Sequence, residues 1–236
     1  STQSEGGRGE ILEFRSAASL LENPLEPPLA ARGRRIGAML RAKLEPTNNE
    51  FDELYPFPIR TISTTFWTPV DIELRAAKRL VHRSGCRVLD IGSGAGKFCN
   101  IGALATEGAF FGIEQREQLV ECARDTASLL GSAATFTHGV FGNLNPLDYD
   151  AFYLFNPFGE NTFSSMEQID TTVELTRERF ASDVRLAQEF LGAAKPGARV
   201  VTYNGMGGKL PHCYTLVQRE DFGCGIDLWV KDLPGA

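Results

Sequence analysis

The chain has 236 residues, 42% of them hydrophobic, which suffices for one large core or one core with an N-terminal appendage and is tight for two domains. A formal net charge of -6 argues against a surface given over wholly to nucleic acid or membrane, and no apolar run approaches the roughly 20 residues of a membrane-spanning helix. Five cysteines (Cys86, Cys99, Cys122, Cys213, Cys224) form no C-x-x-C pair and His82, His138 and His212 have no ligand-spaced partners, so no metal is expected and a reducing, cytoplasmic setting is.

Residues 1–10 read as a disordered tail. Helical spacing from Ile11 to Leu21 is broken by the three prolines within Asn23–Pro28. A second helix is expected from Leu29 to Leu44, with Ile36, Leu40 and Leu44 on one face and Arg32, Arg34, Arg35, Arg41 and Lys43 as its only charges. That basic stretch reads first as the solvated side of a packed helix and second as a polyanion-binding surface. Residues 11–63 thus form an N-terminal helical extension, and 64–236 the main domain.

In TTFWTPVDIELRAAKRLV, Thr68 suits a helix N-cap, Pro69 the first helical position and Asp71 the third, with Val70, Leu74, Ala77 and Val81 lining one face. Strands and helices then alternate. CRVLDI, AFFGIE, ATFTH, AFYLFN and ARVVTYN read as strands one to five; helices are expected over Lys97–Thr106, Glu117–Leu130 and Thr171–Leu191. YTLVQRED and IDLWVKD read as a closing antiparallel hairpin. The fold class is therefore α/β: a doubly wound, mostly parallel seven-stranded sheet ending in a hairpin.

Strand one ends in Asp90, followed by Gly92, Gly94 and Gly96, a spacing that lets backbone approach a ligand at the carboxyl end of the sheet. A dinucleotide loop or a phosphate-binding P-loop starting at Gly92 would need glycine where Lys97 stands. Strand two ends in Glu114, close to the roughly 20-residue offset at which a carboxylate accepts from ribose hydroxyls. Gln115 is placed to edge the ribose or adenine.

The D-x-G-x-G-x-G run within VLDIGSGAGKF resembles motif I of class I (Rossmann-like) methyltransferases dependent on S-adenosyl-L-methionine. The resemblance implies that cofactor, with Asp90, Gly92, Ser93, Gly94, Gly96, Lys97 and Phe98 beside its methionine end and Glu114 and Gln115 at the ribose. Val140 stands where many members carry an acid for the adenine amino group; Phe141 or Asn143 are the nearby alternatives. Strand four runs into Asn156, Pro157 and Phe158, and NPF resembles the (D/N)-P-P-(Y/F) motif of amino methyltransferases without one proline. An Asn carbonyl there can orient an amine lone pair, and Phe158 can cover a flat or cationic group.

FWTPV, motif I, GIE and YLFNPFG together resemble, in order and spacing over Thr64 to Asn204, the Rossmann-type (non-SET) histone lysine methyltransferases and their bacterial relatives. That likeness places Thr68 and Pro69 over the cofactor, Phe66 and Trp67 along the acceptor channel, and Glu160 as a candidate base. Three readings stay open: methylation of an amine nitrogen on a protein or small molecule, methylation of nucleic acid, and cofactor binding without catalysis.

Overall fold

The computed structural model describes residues 27–61, 68–158, 160, 173, 175–220 and 225–235. The expected helix over Ile11–Leu21, together with Phe66, Trp67 and Cys224, lies outside the described residues. The helices are α1 (Leu29–Arg41), α2 (Asn48–Asp52), α3 (Phe57–Arg60), α4 (Val70–Leu80), α5 (Lys97–Ala105), α6 (Glu117–Leu130) and α7 (Arg177–Gly192). The strands are β1 (Arg87–Ile91), β2 (Ala109–Glu114), β3 (Thr135–His138), β4 (Ala151–Phe155), β5 (Arg199–Tyr203), β6 (Tyr214–Glu220) and β7 (Ile226–Lys231). They form one seven-stranded sheet in the order β3-β2-β1-β4-β5-β7-β6, parallel except that β7 runs antiparallel to both neighbours.

Side-chain alternation in the central strands explains where the ligand face lies. Val88 of β1, Phe110 of β2 and Tyr153 of β4 bury among Ile72, Ala76 and Leu80 of α4, Phe98 of α5 and Ala123 of α6. Leu89, Ile91, Ile113, Phe152 and Leu154 point to the opposite face, against Val184, Ala187 and Phe190 of α7. Asp90 therefore shares the α4–α5 face with Tyr153, its register partner across the β1–β4 pair.

The N-terminal helices bury their apolar stripe on this frame: Ile36, Leu40, Phe51 and Leu54 pack with Ile101 and Leu104 of α5 and Leu130 of α6. Gly33 and Gly37 allow the close approach of α1, since a Cβ on Gly33 would lie 2.6 Å from the Leu129 carbonyl oxygen and one on Gly37 would collide with that of Leu130. The helix stops at Arg41, three residues before the expected end, and Leu44 is exposed rather than on the buried stripe. The cause is a Schellman-type end: Lys43 turns left-handed (φ 64) while the Lys43 and Leu44 amides donate to the carbonyls of Leu40 and Met39.

Two further helix starts differ from expectation. Pro69, not Thr68, is the N-cap of α4, because the Thr68 hydroxyl is committed to the Tyr153 hydroxyl at 2.9 Å. The first amide of the helix, Val70 N–H, donates instead to Asn48 Oδ1 at 2.7 Å, so a side chain 22 residues upstream supplies the cap. The α4 surface is also buried more widely than one stripe, taking in Ile72, Glu73, Ala76 and Leu80, since the sheet and the N-terminal helices enclose it from two sides. Helix α7 begins at Arg177 rather than Thr171; Thr176 caps it, accepting from Arg179 N–H at 3.1 Å.

Candidate active site

The carboxyl ends of β1, β2 and β4 open into a cavity of about 300 Å³. The turn after β1 is shaped for close approach. Gly92 adopts φ 77 with its Cα hydrogen face against Pro157, whose Cβ would lie 3.2 Å from any added methyl. Gly94 adopts φ 52, and a Cβ there would meet no protein atom within 4 Å, so the open side of this residue belongs to the cavity. Gly96 is spared a side chain for packing: a Cβ would sit 2.6 Å from Ala123 Cβ and from the Phe136 ring. The turn thus joins the NPF segment in front to helix α6 and strand β3 behind.

Of the residues predicted from sequence, Thr68, Asp90, Gly92, Ser93, Gly94, Lys97, Phe98, Glu114, Gln115, Asn156, Pro157 and Phe158 line this one cavity. Pro69, Gly96 and Asn143 are not among its lining residues; Asn143 lies exposed in a short 3-10 turn (Phe141–Asn143). Phe158 is buried, its ring 5.8 Å from that of Phe141, and it too lines the cavity. Glu160 also lines the cavity, as an ion-pair partner of Arg116 at 2.9 Å with both side chains largely buried.

Glu114 is held by backbone donors, Gly94 N–H to Oε2 at 3.1 Å and Arg116 N–H to Oε1 at 2.9 Å, with the Gln115 amide a further contributor. Each carboxylate oxygen keeps a lone pair for a further donor, as ribose recognition requires. Burial nonetheless shifts its proton affinity upward against those donors. Asp90 is buried with Cys99 Sγ donating to Oδ2 at 3.7 Å; burial first, and the charge of Glu114 besides, push its carboxyl up to about 8. Phe98 stacks on Tyr153 at 3.9 Å to form part of the floor. Val140, just after β3, lines the cavity.

At the far wall, Asn156 adopts φ 35 at the end of β4 and Asn204 φ 54 at the end of β5, both lining the cavity, with Asn156 N–H bonded to Gly205 O at 3.0 Å. Left-handed backbone at two adjacent strand ends is an outlier of the kind that aims a side chain. Sequence reasoning passed over Asn204, Arg116, Tyr153, Arg179 and Glu73, all of which line the cavity. Glu73 lies off the stripe of Val70, Leu74, Ala77 and Val81 that the sequence shows, and only the two-sided packing of α4 buries it.

Residues 82–189 match a family described as a methyltransferase domain. That segment is similar to a methyltransferase domain. Its fold is that of solved methyltransferases. An RNA methyltransferase from Salinibacter ruber, in complex with S-adenosyl-L-homocysteine, is 19% identical with a TM-score of 0.51, covering 72% of this chain and 97% of that one. TrmN from Thermus thermophilus is 17% identical with a TM-score of 0.52, covering 74% of this chain and 52% of that one. No match was found among curated proteins. The cofactor that the methyltransferase match implies is S-adenosylmethionine. The cavity fits that group by three features: the open face at Gly94, the spare acceptor capacity of Glu114, and two buried polar atoms on its lining without a hydrogen-bond partner, Ser93 Oγ and Glu73 Oε2.

Proposed function

We propose that this methyltransferase domain acts on an amine nitrogen of a protein or small molecule, with Asn156 orienting the acceptor. The observation that carries the reading is the left-handed Asn156 at the end of β4, in the same cavity as Gly94 and Glu114. S-adenosylmethionine supplies an electrophilic methyl on a sulfonium, so the protein's task is alignment and charge placement. In this reading Glu114 accepts from the ribose hydroxyls, the Gly92–Gly94 turn passes the methionine portion, and Gln115, Val140 and Phe141 border the adenine. Gln115 is fixed for that task, its Oε1 accepting from Arg179 at 2.6 Å. The Asn156 Oδ1 accepts an N–H of the acceptor, which turns the nitrogen lone pair toward the methyl carbon.

The nucleic-acid alternative drew on the NPF segment and on the basic helix around Arg34 and Arg35. Arg32 pairs with Glu53, Arg35 with Glu50 at 2.9 Å, Arg41 donates to the Leu130 and Gly131 carbonyls, and Lys43, just past α1, to that of Ala105 at 2.6 Å, so four of these five cations are engaged within the protein while Arg34 is exposed. The test is incubation with methyl-labelled S-adenosylmethionine and an amine-bearing lysate fraction. Label is expected in protein or small molecules and not in nucleic acid. Asn156→Gly, which tolerates the positive φ, should lower transfer at least a hundredfold while S-adenosylhomocysteine binding changes less than threefold. Undiminished transfer in that variant refutes the role of Asn156. Tight cofactor binding with no acceptor labelled at all favours a binding protein without catalysis.

A further inference from the structure

Lys97 stands where a cation is poorly tolerated. It opens α5, whose N-cap Gly96 offers no side-chain cap and whose first turn holds no acid, so the positive end of the helix dipole meets an ammonium-bearing side chain that is only 5% exposed. A lysine buried at such a place requires an acid brought from another element. Asp52, the last residue of α2, supplies one: its Oδ1 lies 2.9 Å from Lys97 Nζ, and the preceding Phe51 sets its ring centroid 5.7 Å from the same nitrogen. Helix α2 has a second hold on the cavity wall, since Asn48 at its start caps α4 at Val70, just after the cavity-lining Thr68.

The pairing also decides where the ammonium does not go. Lys97 lines the cavity, and so does Glu73 of α4, which is 2% exposed and whose Oε2 has no hydrogen-bond partner among the described residues. Burial raises the Glu73 carboxyl well above the usual carboxylate range and the Lys97 charge acts in the opposite sense, so the two side chains already lie within electrostatic reach of each other. The lysine stem is flexible enough to serve either acid. With Asp52 ionised, the ammonium is engaged on the α2 side. With Asp52 neutral, Glu73 is the acid on the cavity side to which a buried ammonium turns, and the lysine then comes to rest along the cavity wall.

We infer that Asp52 is a positioning residue of the ligand cavity: it holds the Lys97 ammonium against α2 and so keeps that side chain clear of the space the ligand fills. The N-terminal helices then take part in ligand binding through one ion pair, besides packing on α5 and α6. This rests on the S-adenosylmethionine reading of the cavity.

Titration calorimetry with S-adenosylhomocysteine on the full chain tests this as a double-mutant cycle. Asp52→Asn should weaken binding at least tenfold in the wild-type background and less than threefold in a Lys97→Met background, whatever Lys97→Met itself costs, because no ammonium is left to turn. Asp52→Glu, which keeps the charge, should stay within threefold of wild type. A lowered melting temperature with unchanged affinity in Asp52→Asn is the result of a merely structural ion pair and overturns the inference, as do equal losses in the two backgrounds or an Asp52→Glu loss as large as that of Asp52→Asn. Should Asp52→Asn not fold, the wild-type protein carries the test: the nitrogen NMR resonance of the Lys97 ammonium, assigned by its loss in Lys97→Arg, should hold its position as S-adenosylhomocysteine is added. A displacement as large as the one that Asp52→Glu causes puts the ammonium on the ligand and overturns the inference. If the wild-type protein binds neither S-adenosylmethionine nor S-adenosylhomocysteine, the cofactor reading of the cavity falls and the inference with it; binding that is indifferent to Asp52 sinks the positioning role alone.

Discussion

Gly94→Ala and Gly96→Ala impose a similar backbone cost and differ in what the new methyl group meets. Both residues are left-handed, φ 52 and φ 78, which costs an alanine roughly 1–2 kcal/mol. At position 94 the methyl meets no protein atom within 4 Å, so the stability loss stops there. At position 96 it would lie 2.6 Å from Ala123 Cβ and the Phe136 ring, and overpacking adds about 1–3 kcal/mol. With about 2–4 °C per kcal/mol for a chain of this size, the melting temperature should fall by roughly 2–8 °C for Gly94→Ala and roughly 4–20 °C for Gly96→Ala. Ligand affinity should rank the other way. The methyl at 94 projects into the cavity and should weaken S-adenosylhomocysteine at least tenfold, whereas Gly96→Ala, where folded, should bind within threefold of wild type. Thermal melts and calorimetry on the purified variants read both quantities. Equal melting shifts, or wild-type affinity in Gly94→Ala, would show that the turn is not built as described.

Glu114→Gln keeps the shape and loses the charge, so S-adenosylhomocysteine should bind ten- to a hundredfold more weakly, consistent with about 1.5–3 kcal/mol for hydrogen bonds to a charged group; an unchanged titration isotherm would contradict the ribose role. The ligand-free protein should lose stability as pH rises. Asp90 is protonated when folded, up to about 8, and ionised when unfolded above about 3.9, so its contribution is complete at low pH and disappears through pH 8. Between pH 5 and pH 8 this amounts to as much as about 4 kcal/mol; denaturant melts should show Asp90→Asn closing that gap, and a wild-type-like pH profile in the variant would count against it. Asn48→Ala removes the cap that α4 receives from a distance, with an expected loss of about 1 kcal/mol and a melting shift of a few degrees. No shift would mean that water replaces the Asn48 side chain at no cost.

Much of this architecture could be read from residue patterns because local and tertiary preferences agree. AFFGIE and the helix over Glu117–Leu130 appear with the expected bounds, since strand alternation, the acid at the helix start and the closing Gly131 all point the same way. The end of α1 was misjudged because the hydrophobic spacing continues to Leu44 while a left-handed lysine, which periodicity does not report, stops the helix. The start of α4 was displaced by one residue for a different reason: Thr68 has the chemistry of a cap, and only the fold reveals that Tyr153 takes its hydroxyl. The cavity shows the same division. Motif I and Glu114 were visible because a glycine turn and a strand-end acid have fixed offsets, whereas Asn204 comes to the cavity from a strand whose placement no local spacing encodes; Arg116, two residues after Glu114, follows the same offset and was passed over.

The placement of β7 between β5 and β6 sets an order on how this sheet can be completed as the chain is synthesised. Strand β6 leaves the ribosome before β7, yet among the described residues β7 is its one strand partner, so it emerges with no described strand to receive it. The exposed edge of β5 must likewise wait. One late segment, Ile226–Lys231, therefore closes two gaps in a single step, and a nascent chain stalled before it would present an open edge on the strand that ends at Tyr203.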